Sequence, residues 1–507
     1  MSEVLAEMVS GSNVTTSNAI TSYELFGRRK IYTPTEEITE ENVLEEVNTA
    51  LTVHVLNMME MEFLYWYRRG LQPILNRKKE VRPEIKNTIV ENHADEIVSF
   101  KNGYFLTQPA FYISRKDGDE NTEKVKQLNE YLYRSGKQQA DNQLVDWFHT
   151  VGKADLFVEP TNDEDTPVRA YALDPRSAFV VYSLKPGNRP KFCVNMVINN
   201  DNKVLFDVIT EQAVYRLSGG ITGRIMTDTP IVASAIYLDS IEPNPLKKLP
   251  IIEYYYNSVN MGAFEAVVPL LDALNNIMSN RADGIEQFIQ SLAVATNCQF
   301  EEGTTANSIR QAGMIVLRSI GENKADFKIL SEQLDQGQTQ VLVDYIYEKV
   351  LSIVGMPSTT KGGASTSDTG AAVLARDGWY QADTVARNTE DIFKESNRYF
   401  DEVFIEILKR KVGLNINISD FELQFIRNET ANVLAKAQAA TTMLAAGFAP
   451  ALAFGKSGVS NDPVQDVALS EKYLKMIWGD PDKPNSQGTE NVELVEETRT
   501  DDTSGSI

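Results

Sequence analysis

The sequence predicts an α+β, multi-domain protein, and three observations carry that prediction. The 507 residues are 42% hydrophobic and 24% charged, ordinary globular usage that excludes end-to-end disorder. Between Tyr104 and Leu217 short β-type runs dominate, punctuated by Gly, Pro and Asn. After Pro250 the pattern changes to long apolar stripes at three- and four-residue steps, the spacing of amphipathic helices.

Residues 1–34, rich in Ser, Thr and Asn without periodicity, read as a mobile tail. A helical pattern then runs from Glu40 to Leu75 and holds an aromatic group, Phe63, Tyr65, Trp66 and Tyr67, whose expected role is core packing. A second helix is expected over Ile85 to Phe100, ahead of Gly103. Strands are expected at Phe111–Ile113, Phe179–Tyr182, Phe192–Ile198 and Lys203–Ile209, with helices at Glu123–Ser135 and Asp141–Val151 between the first two.

Ile251 to Tyr256 is an apolar, aromatic strand, and Val267, Leu271, Leu274, Met278, Ile285 and Leu292 then mark one helix stripe. Pro269 is tolerated only in a first turn, so this helix should run from about Val267 to Thr296, roughly 45 Å. Cys298 to Leu330 reads as a small β-rich insertion with turns at Gly303, Gly313 and Gly321 and its clearest strand at Met314–Leu317. Gln338 to Val354 returns to the helical stripe. Ser358 to Gly370 is a run of Gly, Ser and Thr that can bury almost nothing and should stay flexible. Ala371 to Val412 contains no proline and would be a helix of roughly 60 Å, with Gly413 as its stop. A strand from Asn415 to Ile426, an Ala-rich helix from Asn432 to Ala446 and a helix from Val464 to Ile477 follow. The acidic stretch from Gly479, with Pro481 and Pro484, closes as a second tail.

Composition also excludes function classes. Lys and Arg number 49 against 71 Asp and Glu, a net charge of −22, so the surface as a whole repels phosphate and anionic lipid. Cys193 and Cys298 stand far apart with no second Cys or His at metal spacing, which fits reducing cytosol. No apolar run reaches the ~18 residues of a membrane span, and Met1 to Leu25 lacks the order of a signal peptide, so neither export nor membrane insertion is expected. His54, His93 and His149 fall within expected helices, and no Gly-x-Ser-x-Gly elbow offers them a nucleophile. Gly455-Lys456-Ser457 resembles the end of a phosphate-binding loop, but Pro450 occupies the place of its first glycine. The pairs Asp95-Glu96 and Glu390-Asp391 read as solvated faces. No cofactor, metal or catalytic residue is expected.

Three segments, in this order, resemble the portal proteins of tailed bacteriophages, in particular the large portals from phages of Gram-positive bacteria. Asn92-His93-Ala94-Asp95-Glu96-Ile97-Val98 with Gly103-Tyr104-Phe105-Leu106-Thr107-Gln108-Pro109 is similar to an N-x-A-x-x-I-V and G-Y-x-x-G-x-P segment, though Thr107-Gln108 replaces the glycine step. Lys248-Leu249-Pro250-Ile251-Ile252 through Asn257, leading into Leu270-Leu271-Asp272-Ala273-Leu274-Asn275, resembles the family's entry to its first stem helix. Thr369-Gly370-Ala371-Ala372-Val373-Leu374 resembles the start of its long helix behind the channel loop. The resemblance spans roughly Glu40 to Tyr473.

The resemblance implies a non-enzymatic homo-oligomeric ring, commonly a dodecamer, at one capsid vertex of the virion and assembled in the host bacterial cytoplasm. Such rings pass double-stranded DNA and dock the terminase large subunit, a head-tail adaptor, and the major capsid and scaffolding proteins. It divides the chain into a wing (35–257 with 371–429), stem helices (258–296 and 335–356), a clip (297–334), a channel loop (357–370) and a crown (430–478), ahead of the acidic tail (479–507). The DNA-channel residues implied are Lys361, the only cation there, with Ser358, Thr359, Thr360, Gly362, Gly363, Ser365, Thr366 and Ser367. The clip interface implied is Phe300, Met314, Val316 and Phe327. Two other readings compete: another structural virion protein such as a minor head or capsid protein, and a DNA-packaging enzyme, against which the missing phosphate loop counts.

Overall fold

The computed structural model describes residues 25–478 except 26, 81–82, 117, 202, 227–228, 290–291, 297, 300–317, 320–325, 331–335, 359–377, 426–432 and 461–462. The chain divides after Thr430 into two compact units.

The first unit is mixed α and β. Helix α1 (Val43–Arg68) buries Val43, Val47, Ala50, Leu51, Met58, Met61 and Leu64, the three- and four-residue spacing that turns one face to the core. Its aromatic end packs as expected: Tyr67 is fully buried and stacks on Phe264 at 5.9 Å. Helix α2 is His93–Phe105, α3 Asp119–Arg134 and α4 Lys137–Val151. The expected helix over Ile85–Phe100 begins only at His93; residues 85–92 form neither helix nor strand, for a reason given below.

A six-stranded sheet runs in the order β1 (Ile31–Thr33), β5 (Ala178–Ser183), β6 (Pro190–Ile198), β7 (Lys203–Thr210), β8 (Ala213–Met226) and β9 (Thr229–Pro243). Only the β1–β5 pairing is parallel. A three-stranded sheet places β3 (Lys153–Pro160) between β10 (Ile251–Tyr255) and β4 (Val168–Leu173), and β2 (Phe111–Ser114) pairs with β15 (Phe421–Gln424). The sequence reading omitted β3, β4 and the β8–β9 hairpin. β8 carries Gly219, Gly220 and Gly223, and its register with β9 shifts repeatedly, so the side-chain alternation that reveals a strand is broken there.

Helix α5 (Val268–Ile289) begins where Pro269 requires, but ends earlier than the stripe suggested. Leu292–Thr296 is strand β11, paired antiparallel with β14 (Asp326–Leu330), and β12 (Cys298–Gln299) pairs with β13 (Arg318–Ser319). The expected strand at Met314–Leu317 lies outside the described residues. Helix α6 (Gln336–Val354) packs on α5. Helix α7 (Trp379–Val412) is about 51 Å long and stops at Gly413 in the left-handed conformation; positions 371–377 lie outside the described residues. The expected strand from Asn415 contracts to β15, preceded by a short 3-10 turn capped by Asn417. Phe393 of α7 meets Phe105, Phe148, Tyr254 and Phe425 at ring distances of 4.7–6.4 Å, which joins α2, α4, β10 and α7 in one core.

Of the charged pairs expected to be solvated, Asp95, Glu96 and Asp391 are exposed and only Glu390 departs from the expectation. Glu390 is buried, Asp95 pairs with Arg68 at 3.0 Å, and Glu96 accepts a hydrogen bond from Tyr347 at 2.6 Å. The chain entering β1 is fixed to the turn before α5: Arg28 N–H donates to the Asn260 carbonyl at 2.9 Å, and Asn260 Nδ2 returns a bond to the Arg28 carbonyl at 2.8 Å. The Arg28 guanidinium is buried between Glu60 and Glu265 at 2.7 and 2.8 Å.

The second unit holds α8 (Val433–Ala445), α9 (Pro450–Ser457) and α10 (Pro463–Trp478). Helix α9 was not anticipated. Pro450 stands in its first turn, where a missing N–H costs nothing, so Gly455-Lys456-Ser457 is helical rather than a phosphate loop.

Candidate functional site

The candidate site is the passage from α6 to α7 with the helices that hold it. Leu351, Val354 and Met356 are buried, and Met356 N–H bonds back to the Leu351 carbonyl at 2.9 Å, closing α6. Gly355 follows with φ +70°, and a Cβ there would stand 2.9 Å from Val385 of α7. Gly378, the N-cap of α7, is also left-handed and lies beside Pro357. Gln381 Nε2 then donates to the Ser352 carbonyl at 3.1 Å. The two ends of the passage are thus fastened to each other by glycine-permitted contact and one cross-helix bond.

Of the predicted channel residues, Ser358 is buried at this foot, only 8% exposed. Lys361, Thr359, Thr360, Gly362, Gly363, Ser365, Thr366 and Ser367 lie outside the described residues, as do Phe300, Met314 and Val316. Phe327 lies in β14, opposite Ala295 of β11.

Around this passage stand contacts the sequence reading missed. The Glu96 that binds Tyr347 of α6 also meets His93 Nδ1 at 2.7 Å. Burial works against the His93 charge, but Glu96 and Glu91 outweigh it and hold the imidazole above its ordinary range. The other two histidines are structural: burial pulls His54 down to about 3 and His149 well below its ordinary value, so both are neutral.

The second missed feature is a strap along α5. Asn275, Ser279 and Asp283 recur at four-residue steps and accept the backbone N–H groups of Glu91, Ile89 and Asn87 at 2.8, 2.9 and 2.7 Å. Four helical residues rise about 6.0 Å and two extended residues about 6.6 Å, so the two ladders match in step. This register is why 87–91 runs alongside α5 and does not join the helix. Arg77 and Lys79 complete the strap with ion pairs to Asp283 at 3.1 and 3.0 Å. Three small polar residues at helical spacing inside an apolar stripe were the signal available in the sequence.

Outward, α6 exposes Val341, Leu342, Tyr345 and Ile353 at 69, 48, 58 and 57%. Among the described residues no group of His, Cys, Asp and Glu is placed to hold a metal ion, and no helix is long and apolar enough to cross a membrane.

A family model described as phage portal protein, SPP1 Gp6-like, matches residues 53–468. No curated protein matches the chain. The match takes in the strap, both paired helices and the passage between them, and extends over most of the 507 residues: the chain belongs to the SPP1 Gp6-like phage portal proteins.

Proposed function

We propose that this chain is the subunit of a ring at one capsid vertex of the virion, through which double-stranded DNA is packaged and ejected. The ring docks the terminase large subunit, the head-tail adaptor, and capsid and scaffolding proteins. In this reading the chain is a conduit and not a catalyst, and its parts are the wing, stem, clip, channel loop and crown named above.

The observation that carries the reading is the exposed stripe on α6. Val341, Leu342 and Tyr345 sit within one helical turn of each other, and a helix that keeps such residues in water has a face awaiting a partner. A contact repeated head to tail between identical copies closes into a ring when the rotation allows. The two-stranded pairs β11–β14 and β12–β13 add support, because isolated two-stranded ribbons are marginal in water and gain from neighbours.

Light scattering after size exclusion should give a mass near about twelve times 56.7 kDa, and electron microscopy a ring with a central hole. Val341→Glu combined with Tyr345→Glu should give a monomer with unchanged circular dichroism, since both side chains are solvated in the single chain. A parent protein that stays monomeric at micromolar concentration, or a doubly charged variant that still forms rings, would sink the proposal.

A further inference from the structure

Strand β3 runs antiparallel to β10 with Asp155 directly opposite Glu253 and Lys153 opposite Tyr255. Residues two apart in a strand share a face, so two carboxyls and one ammonium lie on the same face, all three buried. Glu253 is the better served of the two acids. Its Oε1 accepts the Val180 N–H at 3.0 Å and meets Lys153 Nζ at 2.6 Å, and its Oε2 accepts the Tyr182 and Tyr255 hydroxyls at 2.7 and 2.5 Å. Lys153 approaches one Asp155 oxygen at 3.3 Å without hydrogen-bond geometry, and neither Asp155 oxygen accepts a hydrogen bond from a described residue.

Two ionised carboxylates directly opposite each other in a ladder repel, and one ammonium cannot neutralise both. The other groups near the pair do not make up the difference. Burial keeps the Tyr182 and Tyr255 hydroxyls neutral, and it pushes the Cys193 thiol of β6 and the Tyr399 hydroxyl of α7 up to about 12. His54 of α1 is neutral. Asp174, just beyond β4, is balanced by Arg176 at 2.6 Å. Lys30 lies over the Tyr182 and Tyr255 rings at 5.6 and 5.2 Å, but it is exposed and screened by water. Tyr254 turns to the opposite face, against Lys137 of α4 and Phe393 of α7. The buried charge therefore balances when one of the two carboxyls keeps its proton. Burial raises Asp155 well above the ordinary carboxylate range, whereas Lys153 and the other donors overcome burial at Glu253 and hold it below.

We propose that Asp155 and Glu253 share one proton, carried on Asp155, and that this proton latches the three-stranded sheet to the six-stranded sheet. With Asp155 neutral, Glu253 keeps its hold on the Val180 N–H and the Tyr182 hydroxyl of β5, and Lys153 Nζ donates to the Ala178 carbonyl of β5 at 3.3 Å. Ionising Asp155 sets a second negative charge beside Glu253 and draws Lys153 away from β5. A raised folded value means that the stabilisation is fully present below the ordinary value of 3.8 and is lost as pH rises through the higher folded one. The seam between the two sheets thus loosens in alkaline solution.

The test compares the full-length protein with Asp155→Asn, which imitates the neutral acid. In urea, the parent's unfolding constant relative to the variant's should rise about tenfold for each pH unit between about pH 5 and 7, because the folded parent holds one proton that the unfolded chain releases. Hydrogen exchange over β5 should match in the two proteins near neutral pH and become faster in the parent than in the variant as pH rises. Neutron diffraction from deuterated crystals of the parent should place a deuteron on Asp155 and none on Glu253, a result that stands even if the variant does not fold. An unfolding ratio that does not change with pH, or an Asp155 carboxyl without a deuteron, would overturn the shared proton. Exchange over β5 that stays equal in the two proteins at every pH would overturn the latch.

Discussion

Gly152 and Gly413 both end helices in the left-handed conformation, at φ +84° and +74°, but their surroundings differ. A Cβ on Gly413 would meet nothing within 4 Å, whereas one on Gly152 would stand 2.2 Å from the Asn260 carbonyl oxygen. Gly413→Ala should therefore cost about 1–2 kcal/mol, the conformational penalty alone. Gly152→Ala adds a backbone collision that no rotamer relieves, so its loss of stability in denaturant unfolding should be clearly larger. Equal costs would show that the Asn260 turn yields easily. Gly413 was legible in the sequence because a glycine closing a periodic stripe has a local meaning. Gly152 was not, because its constraint comes from a turn a hundred residues away. The same holds for Lys153, Asp155 and Glu253: only Glu253 falls in a strand the sequence shows, and it is the pairing of β10 with the unanticipated β3 that makes the three one buried cluster, with Lys153 at 2.6 Å from Glu253.

The elements were most readable where one face decides the structure. The stripes of α1, α5, α6 and α7 were visible because apolar spacing alone specifies an amphipathic helix. The end of α5 was misread for the opposite reason: Leu292 continues the helical spacing, and what makes 292–296 a strand is pairing with β14, whose residues are remote in the sequence. The strap over 87–91 shows the same override, and its charged end acceptor is testable. Burial would raise the Asp283 carboxyl, but Asn87, Lys79 and the ion pairs outweigh it and hold it below its ordinary value of 3.8. A depressed folded value means that the stabilisation is fully present above that ordinary value and is lost as pH falls through the lower folded one. Asp283→Ala should cost about 2–3 kcal/mol near neutral pH. It should also speed hydrogen exchange at the amide of Asn87 more than at Ile89 or Glu91, whose acceptors on α5 remain. Unchanged exchange at Asn87 would mean that the strap is held from elsewhere.

Taken over the molecule, the charge of −22 sets the terms on which DNA would pass through the proposed ring. Each Lys or Arg that meets a phosphate releases a counterion, and many such contacts would make binding tight and salt-dependent. In that proposed ring, one cation per subunit in a run of hydroxyls and glycines would give a weak contact repeated around the axis. Lys361→Ala should therefore leave ring assembly intact and change genome packaging or retention in a salt-dependent way, and Lys361→Glu should do more harm. If both package and retain DNA like the parent at low and physiological salt, the positive charge has no part in passage.

The stitching of Arg28 to Asn260 has a mechanical consequence. Residues 28–33 are bonded at one end to the turn from which α5 departs and at the other, through β1, to β5. The helix and the six-stranded sheet cannot turn independently without breaking this short link or its buried ion pairs. Torque applied to α5 is thereby shared with the sheet, and the link behaves as a stiff coupling that spreads load across the unit instead of concentrating it at one hinge.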